Sequence, residues 1–429
     1  MGGRWVEEFI HEGAGHTRVG ASYVFFAFFA KEWHSSHNAD MWPFKSSRVY
    51  LDYAAATPLR IEAARASRKN EIIHGNPGGI HAESVLAKQV LEDARSMIAH
   101  ELGVKARQII FTSGSTEGNN LGILGFAEFL SAKKNGLVGT HWIVSAIEHP
   151  SVLECFSEIE RRGGAVTHLD PDAHGFVAPA VLERALRPET VLVSIGWANH
   201  EIGTVQPLRA FSQSIAKHEK EHGIQVFLHT DMGQAPLYKV PHVHSLGVDM
   251  AVCGAGKLYG PRGIGALYLS NRISITHMSL GGGQERGLRA GTEAPHLAAG
   301  FAAALSAAAS ERDTEVQRLA ALRDALYTTI RATLPEALRN GTGDTLPHIL
   351  NISLPKIQAE YVVLALDKAG IAISTRSACN ANEAQSHVVA ALGGEEWRAK
   401  NTLRFSLGLY TTAGDIQRVA RELIRIVSR

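Results

Sequence analysis

Between residues 49 and 269, short runs rich in β-branched residues alternate with stretches of helical period, and turn residues punctuate them. "QIIFTSG" runs into "STEGNNLGILGFAEFL", "HWIVSAIEHPSV" into "SVLECFSEIERRG", and "TVLVSIGWANHEIG" is followed by "FSQSIAKHEKEHG". "IQVFLHTDMGQAP", "DMAVCGAGK" and "GIGALYL" close the series. Strands alternating with helices at this spacing predict an α/β fold with a mostly parallel, helix-covered sheet. In such a sheet the ligand loops follow the C-terminal ends of the strands. The Ala-rich stretch "HLAAGFAAALSAAASERDTEVQRLAALRDALYTTIRATL" then reads as one long helix. Beyond it "HILNISLP", "AEYVVLALDKAG", "IAIST", "NTLRFSLG" and "TTAGDIQRVARELIRIV" read as a smaller C-terminal α+β unit. The chain has 429 residues, enough for two packed domains. The expected division is a large domain over 49–310 and a small one over 311–429.

Composition excludes several classes of function. With 45% hydrophobic residues, 20% charged residues and a formal net charge of +1, nothing calls for nucleic acid or an anionic membrane as a direct partner. The cysteines Cys155, Cys253 and Cys379 lie far apart and form no CxxC. Neither a disulfide framework nor a zinc site is indicated, and a reduced, cytoplasmic setting is expected. Residues 1–48 are rich in aromatics and histidine. Their apolar run, Ala21 to Ala30, is well short of the ~20 residues that span a bilayer. Glu7 and Glu8 stand where a signal peptide would carry basic residues. This segment reads as an extension without an assigned role.

Lys257, in "CGAGKLYGPRG", sits in a glycine-rich turn between two apolar runs. A nucleotide-binding P-loop would need a hydroxyl residue after the lysine and a glycine six before it. Leu258 and Ala251 occupy those places, so that reading fails. Other strand ends supply companions. "TSGSTEGNN" is a turn opening a helix, where free N–H groups and the Ser115 and Thr116 hydroxyls suit a phosphate. "HTDMGQAP" brings Asp231, "IEHPSV" brings His149, and "ANHEIG" brings Asn199. A lysine for an aldehyde, an acid for a ring nitrogen and donors for a phosphate together suit pyridoxal 5'-phosphate.

At this point a family resemblance emerges. "LDYAAATP", "HGNPGGIH", "FTSGSTEGNNLGI", "EHPSV", "ANHEIGTVQP", "HTDMGQA", "GKLYGPRGIGALY", "GGGQERGLRAGTE", "STRSACN" and "LRFSLG" follow one another as in the cysteine desulfurases. These are fold-type I pyridoxal-phosphate enzymes of the class V aminotransferase group. The resemblance runs from about Val49 to the C-terminus. It implies a large domain with a mostly parallel seven-stranded sheet whose first residues pack with the small domain.

It also implies roles. Lys257 resembles the Schiff-base lysine, and Asp231 the partner of the pyridinium nitrogen. Gln234 resembles the donor to the phenolic oxygen, and His149 the ring-stacking histidine that also transfers protons. Asn199 would lie beside substrate and ring, and Ser115 and Thr116 would cradle the phosphate. Thr292 resembles a residue reaching the other subunit's phosphate, which implies a homodimer. Arg404 resembles the arginine that binds the substrate carboxylate, a structural salt bridge being the other reading. Cys379, in a small polar run with Arg376 nearby, resembles the sulfur-accepting nucleophile. It is also a candidate transient iron–sulfur ligand, and no resident metal is expected. Cys155 and Cys253 read as core residues.

The implied activity is removal of sulfur from L-cysteine, giving L-alanine and a persulfide on Cys379. That sulfur would pass to an acceptor protein such as an iron–sulfur scaffold or a tRNA-thiolation protein. Two features depart from the pattern. Gly254, Ala255 and Gly256 stand where most members have Ser-Gly-His, removing two side-chain phosphate donors. His200 stands where many have a second Asn. A selenocysteine lyase or another class V enzyme, and a scaffold-binding homologue with weakened cofactor binding, remain as alternatives.

Overall fold

The computed structural model describes residues 48–375 and 385–428. Cys379 and Arg376, like residues 1–47, lie outside the described residues. The chain starts with β1 (Val49–Tyr50), then α1 (Ile61–Glu71) and α2 (Ala82–Leu102). The alternating series follows: β2 (Ile109–Thr112), α3 (Ser115–Lys134), β3 (His141–Ser145), α4 (Pro150–Arg161), β4 (Ala165–Leu169), α5 (Pro179–Ala185), β5 (Thr190–Ser194), α6 (Leu208–His222), β6 (Phe227–Asp231), α7 (Val243–Leu246), β7 (Met250–Gly254) and β8 (Gly265–Leu269). The seven strands from β2 to β8 form one sheet, ordered β2-β8-β7-β6-β5-β3-β4. Only β8 runs against its neighbours, pairing antiparallel with β2 and β7, and the other pairs are parallel. The chain thus has the α/β, fold-type I architecture expected from its sequence.

Period-2 alternation explains why both sheet faces are dry. Ile109 and Phe111 pack into one cluster and Ile110 into the other. Ile143 faces the first while Trp142 and Val144 face the second. Ala251 and Cys253 likewise oppose Met250 and Val252. A strand apolar on both faces belongs in the middle of a helix–sheet–helix sandwich. Cys155 and Cys253 are both buried, and burial pushes each thiol up to about 12. They are core side chains, as their sequence contexts suggest.

The Ala-rich stretch is one helix, α8 (Pro295–Thr333), so residue 310 falls inside a continuous element. It packs against α1 and α2 along one part and α12 along another. The remaining elements are β9 (Leu338–Asn340), β10 (Ile349–Ser353), α9 (Ala359–Lys368), β11 (Ile371–Ala372), α10 (His387–Ala391), α11 (Glu396–Lys400), β12 (Thr402–Ser406) and α12 (Ala413–Val427). Strands β12, β10 and β9 form an antiparallel sheet, and β1 pairs in parallel with β11. Among the described residues no helix is long and apolar enough to cross a membrane.

Candidate active site

A cavity of about 420 Å³ opens beyond the strand ends, lined by His149, Asn199, Asp231, Gln234 and Lys257 among others. They arrive from four strands, Asp231 and Gln234 from one of them. Asp231 is the last residue of β6, Lys257 ends the turn after β7, His149 follows β3 and Asn199 follows β5. Ser115 opens α3 after β2.

The lysine turn is clamped from outside the sheet. The Gly256 carbonyl accepts both the backbone N–H and the hydroxyl of Thr57, at 3.1 and 3.0 Å. The same hydroxyl accepts the Tyr259 N–H at 2.8 Å. Tyr259 has φ 59°, a left-handed conformation that a side chain tolerates only when its surroundings enforce it. The clamp around Thr57 supplies that enforcement and fixes where Lys257 leaves the backbone.

Asp231 is held on both oxygens. Oδ2 accepts Asn119 Nδ2 at 2.8 Å and Oδ1 accepts the Gly233 N–H at 2.7 Å. Asn119 also donates to Ser151 Oγ at 2.9 Å, and Ser151 Oγ lies 2.9 Å from His149 Nδ1. The Ser151 backbone N–H donates to the same nitrogen at 3.1 Å, so His149 caps α4. A ring nitrogen that accepts an N–H carries no proton, which places the neutral ring's hydrogen on Nε2. Burial, and then the positive charge of Lys257, push His149 down to about 4. It is therefore a neutral imidazole near pH 7. His200 stands edge-on to it with ring centroids 5.2 Å apart.

The sequence-derived residues are gathered unevenly. Gln234 donates to the Ala54 carbonyl at 2.8 Å and accepts from His348 at 3.3 Å. Asn199 anchors its own loop: Oδ1 accepts the Glu201 and Ile202 N–H groups and Nδ2 donates to the Ile147 carbonyl. Arg404, 1% exposed, donates from Nη2 to Asp52 at 2.8 Å and from Nη1 to the His200 carbonyl at 2.9 Å. Its Nε is buried with no partner among the described residues. The salt bridge read as the second alternative for Arg404 thus exists in the structure. Thr292 is exposed and is not among the cavity's lining residues.

Whether these groups fit pyridoxal phosphate is tested at Gly233. A Cβ there would lie 3.0 Å from Asp231 Oδ1, 3.7 Å from Lys257 Cδ and 3.9 Å from Ser115 Oγ. One missing side chain therefore keeps open the space that an acid, a lysine and a helix N-terminus share. The donor set and this cradle fit the group. Sequence reading passed over Asn119, Ser151 and Glu148. Asn119 had a visible signal, a polar residue on the buried face of an apolar helix. Glu148, beside His149, had none.

The chain matches the aminotransferase class-V family model over residues 49–419. It is 40% identical over 386 residues to a cysteine desulfurase IscS of Dictyoglomus turgidum, covering 89% of this chain and 95% of that one. It is 35% identical to cysteine desulfurase IscS 1 of Archaeoglobus fulgidus, covering 89% and 97%. Among solved structures, a NifS-like protein superposes with a TM-score of 0.82 at 30% identity, covering 89% of this chain and 99% of that one. SspA in complex with cysteine gives 0.72 at 32%, covering 85% and 100%. Matched along nearly their full lengths by a chain with this sheet and this cavity, these proteins fix its kinship: the chain belongs to the aminotransferase class-V family, among the cysteine desulfurases.

Proposed function

We propose that this protein removes sulfur from L-cysteine with pyridoxal phosphate, leaving L-alanine and a persulfide on Cys379. The observation that supports it best is the convergence of Lys257, Asp231 and His149 on one cavity. Bound there, the cofactor would supply an electron-withdrawing ring that stabilises negative charge at the substrate's Cα. Lys257 would hold it covalently and, once released, take the Cα proton. Asp231, fixed by Asn119 and Gly233, would face the ring nitrogen. Neutral His149 would cover the ring and move a proton through Nε2. The N-terminus of α3, with Ser115 and Thr116, would hold the phosphate. Gln234 would face the phenolic oxygen and Asn199 the substrate side. Arg404, already oriented by Asp52, would draw in the substrate carboxylate.

The Cys379 thiolate would attack the substrate sulfur. An S–S bond forms, the Cβ–S bond breaks, and its electron pair returns to carbon, which takes a proton to become alanine. The flanks of the cysteine segment support this reading. Ser374 exchanges backbone hydrogen bonds with Arg404. On the other side Ser386 Oγ donates to Glu201, at 2.5 Å, next to cavity-lining His200. The persulfide would pass to an acceptor protein, an iron–sulfur scaffold or a tRNA-thiolation protein. A homodimer, with Thr292 reaching the other subunit's phosphate, belongs to the same reading.

Incubation of the cofactor-loaded protein with cysteine, then mass analysis of the Cys379 peptide, tests it. A gain of one sulfur, lost in Cys379→Ser together with sulfide release, is the expected result. Unchanged turnover in Cys379→Ser would instead support a lyase or another class V activity, and failure to take up cofactor would support the scaffold-binding alternative.

A further inference from the structure

The cavity contains a second carboxyl group for which the reaction above has no use. Glu148 immediately precedes His149, lines the cavity and is 5% exposed. Its environment contrasts with that of Asp231. Asp231 receives a donor on each oxygen, from Asn119 and Gly233. Glu148 Oε1 accepts the Gly196 N–H at 2.7 Å, and the Ser145 hydroxyl is its other donor. The glycine leaves it room: a Cβ on Gly196 would lie 2.8 Å from Oε2 and make the carboxyl shift. Its backbone is pinned as well, since His387 Nε2 bonds the Glu148 carbonyl oxygen at 3.0 Å.

Two acids in one cavity, held by different donors and to different depths, mark a division of labour. We propose that Glu148 is a charge-gating residue of this site: protonated, it lets the cavity accept an anionic cofactor and an amino-acid carboxylate, and ionised, it repels them. The inference rests on the cofactor reading given above. Burial, opposed by the Gly196 N–H and reinforced by the Asp231 carboxylate, raises the Glu148 acid to about 8. The titratable groups around it are Asp231 from β6, Lys257 from the turn after β7, His149 beside it, His200 from the loop after β5 and His387 from α10. A lysine gains affinity for an aldehyde as pH rises, and its titration is common to the wild type and a Glu148 variant. Glu148 is the group here whose titration in alkali adds a negative charge to the cavity.

The test measures pyridoxal 5'-phosphate affinity of the full chain and of Glu148→Gln across pH. Tryptophan fluorescence reports it, because Trp197 donates its backbone N–H to the Asp231 carbonyl at 3.0 Å. Comparing the two proteins cancels the titrations of Lys257 and of the cofactor. The ratio of wild-type to variant dissociation constants is expected to be flat in mild acid. Above its inflection it should climb toward about tenfold per pH unit. A flat ratio throughout overturns the proposal. Infrared spectroscopy of the wild-type protein without cofactor gives an independent check that needs no variant. A buried carboxylic-acid band should be present at neutral pH and vanish in alkali, and its absence at neutral pH also overturns the proposal. If neither protein takes up cofactor while that band titrates as expected, the cofactor reading fails and the gating proposal falls with it, whereas a flat ratio with cofactor bound overturns the gating proposal alone.

Discussion

Gly254 offers a quantitative test of how the phosphate end of the site is built. A Cβ at this position would lie 2.7 Å from Ser115 Oγ, 3.2 Å from Ser115 N and 3.7 Å from Ser115 Cβ. Ordinary van der Waals contact begins near 3.4 Å. Gly254→Ala or Gly254→Ser must therefore turn the Ser115 hydroxyl away and displace the first residue of α3 by a few tenths of an ångström. Overpacking of this kind costs roughly 1–3 kcal/mol. A short hydroxyl rotor yields readily, so the lower half of that range, about 1–2 kcal/mol, applies to both substitutions. Removing the hydroxyl with Ser115→Ala relieves the closest contact, leaving the backbone nitrogen at 3.2 Å and Cβ at 3.7 Å. The double variant Ser115→Ala/Gly254→Ser should then lose about 1 kcal/mol less than the sum of its singles, well above the ~0.3–0.5 kcal/mol scatter of independent sites.

Urea denaturation of all four proteins without cofactor measures that coupling. Because the displaced backbone carries the N–H groups that would hold the phosphate, Gly254→Ser should also weaken pyridoxal phosphate binding. About 1 kcal/mol corresponds to roughly fivefold, and the double variant should recover part of it. Additive unfolding free energies would refute the reasoning. They would mean that Ser115 and Gly254 do not compete for one space, and that the glycine at 254 has no compensation at Ser115.

Acid should destabilise the fold through its buried histidines. Burial pushes His141, His149 and His229 down to about 4 and His348 to about 3. A base whose folded-state value is depressed contributes stability that is complete above its unfolded value, near 6.5, and is lost as pH falls toward the folded value. Each such histidine adds up to ~1.4 kcal/mol per pH unit to that slope. Urea midpoints should therefore drop steeply between about pH 6.5 and 4, and His141→Asn should flatten the slope by about one histidine's share. A slope unaltered by that substitution would sink the assignment. Separately, Arg404→Gln breaks the Asp52 pair and strips the His200 carbonyl of its donor. Breaking a buried pair costs about 3–5 kcal/mol. Asp52 keeps 22% of its side-chain exposure, so about 3 kcal/mol is expected from unfolding, together with a raised KM for cysteine in the folded fraction. Unchanged stability would show that Asp52 does not orient this arginine.

What the sequence disclosed and what it concealed follow one physical division. Period-2 burial is a one-dimensional signal, so "QIIFTSG" and "DMAVCGAGK" could be placed as strands leading to ligand turns, and Asp231, His149 and Lys257 could be gathered at one sheet edge. The antiparallel direction of β8 was hidden, because "GIGALYL" has the same apolar pattern in either direction. Pairings across space left no local mark. Nothing in "RFSLG" announces that Arg404 meets Asp52, 352 residues away. Nothing near Gly196 shows that it is empty for the sake of Glu148. Even an apparent loss, the serine absent at Gly254, is read differently once Ser115 is seen to lie 2.7 Å from where its Cβ would stand. A single sequence names the groups that do chemistry because chemistry constrains residue type. The groups that hold them, such as Asn119 between Asp231 and Ser151, are constrained by distance, and distance is what the folded chain adds.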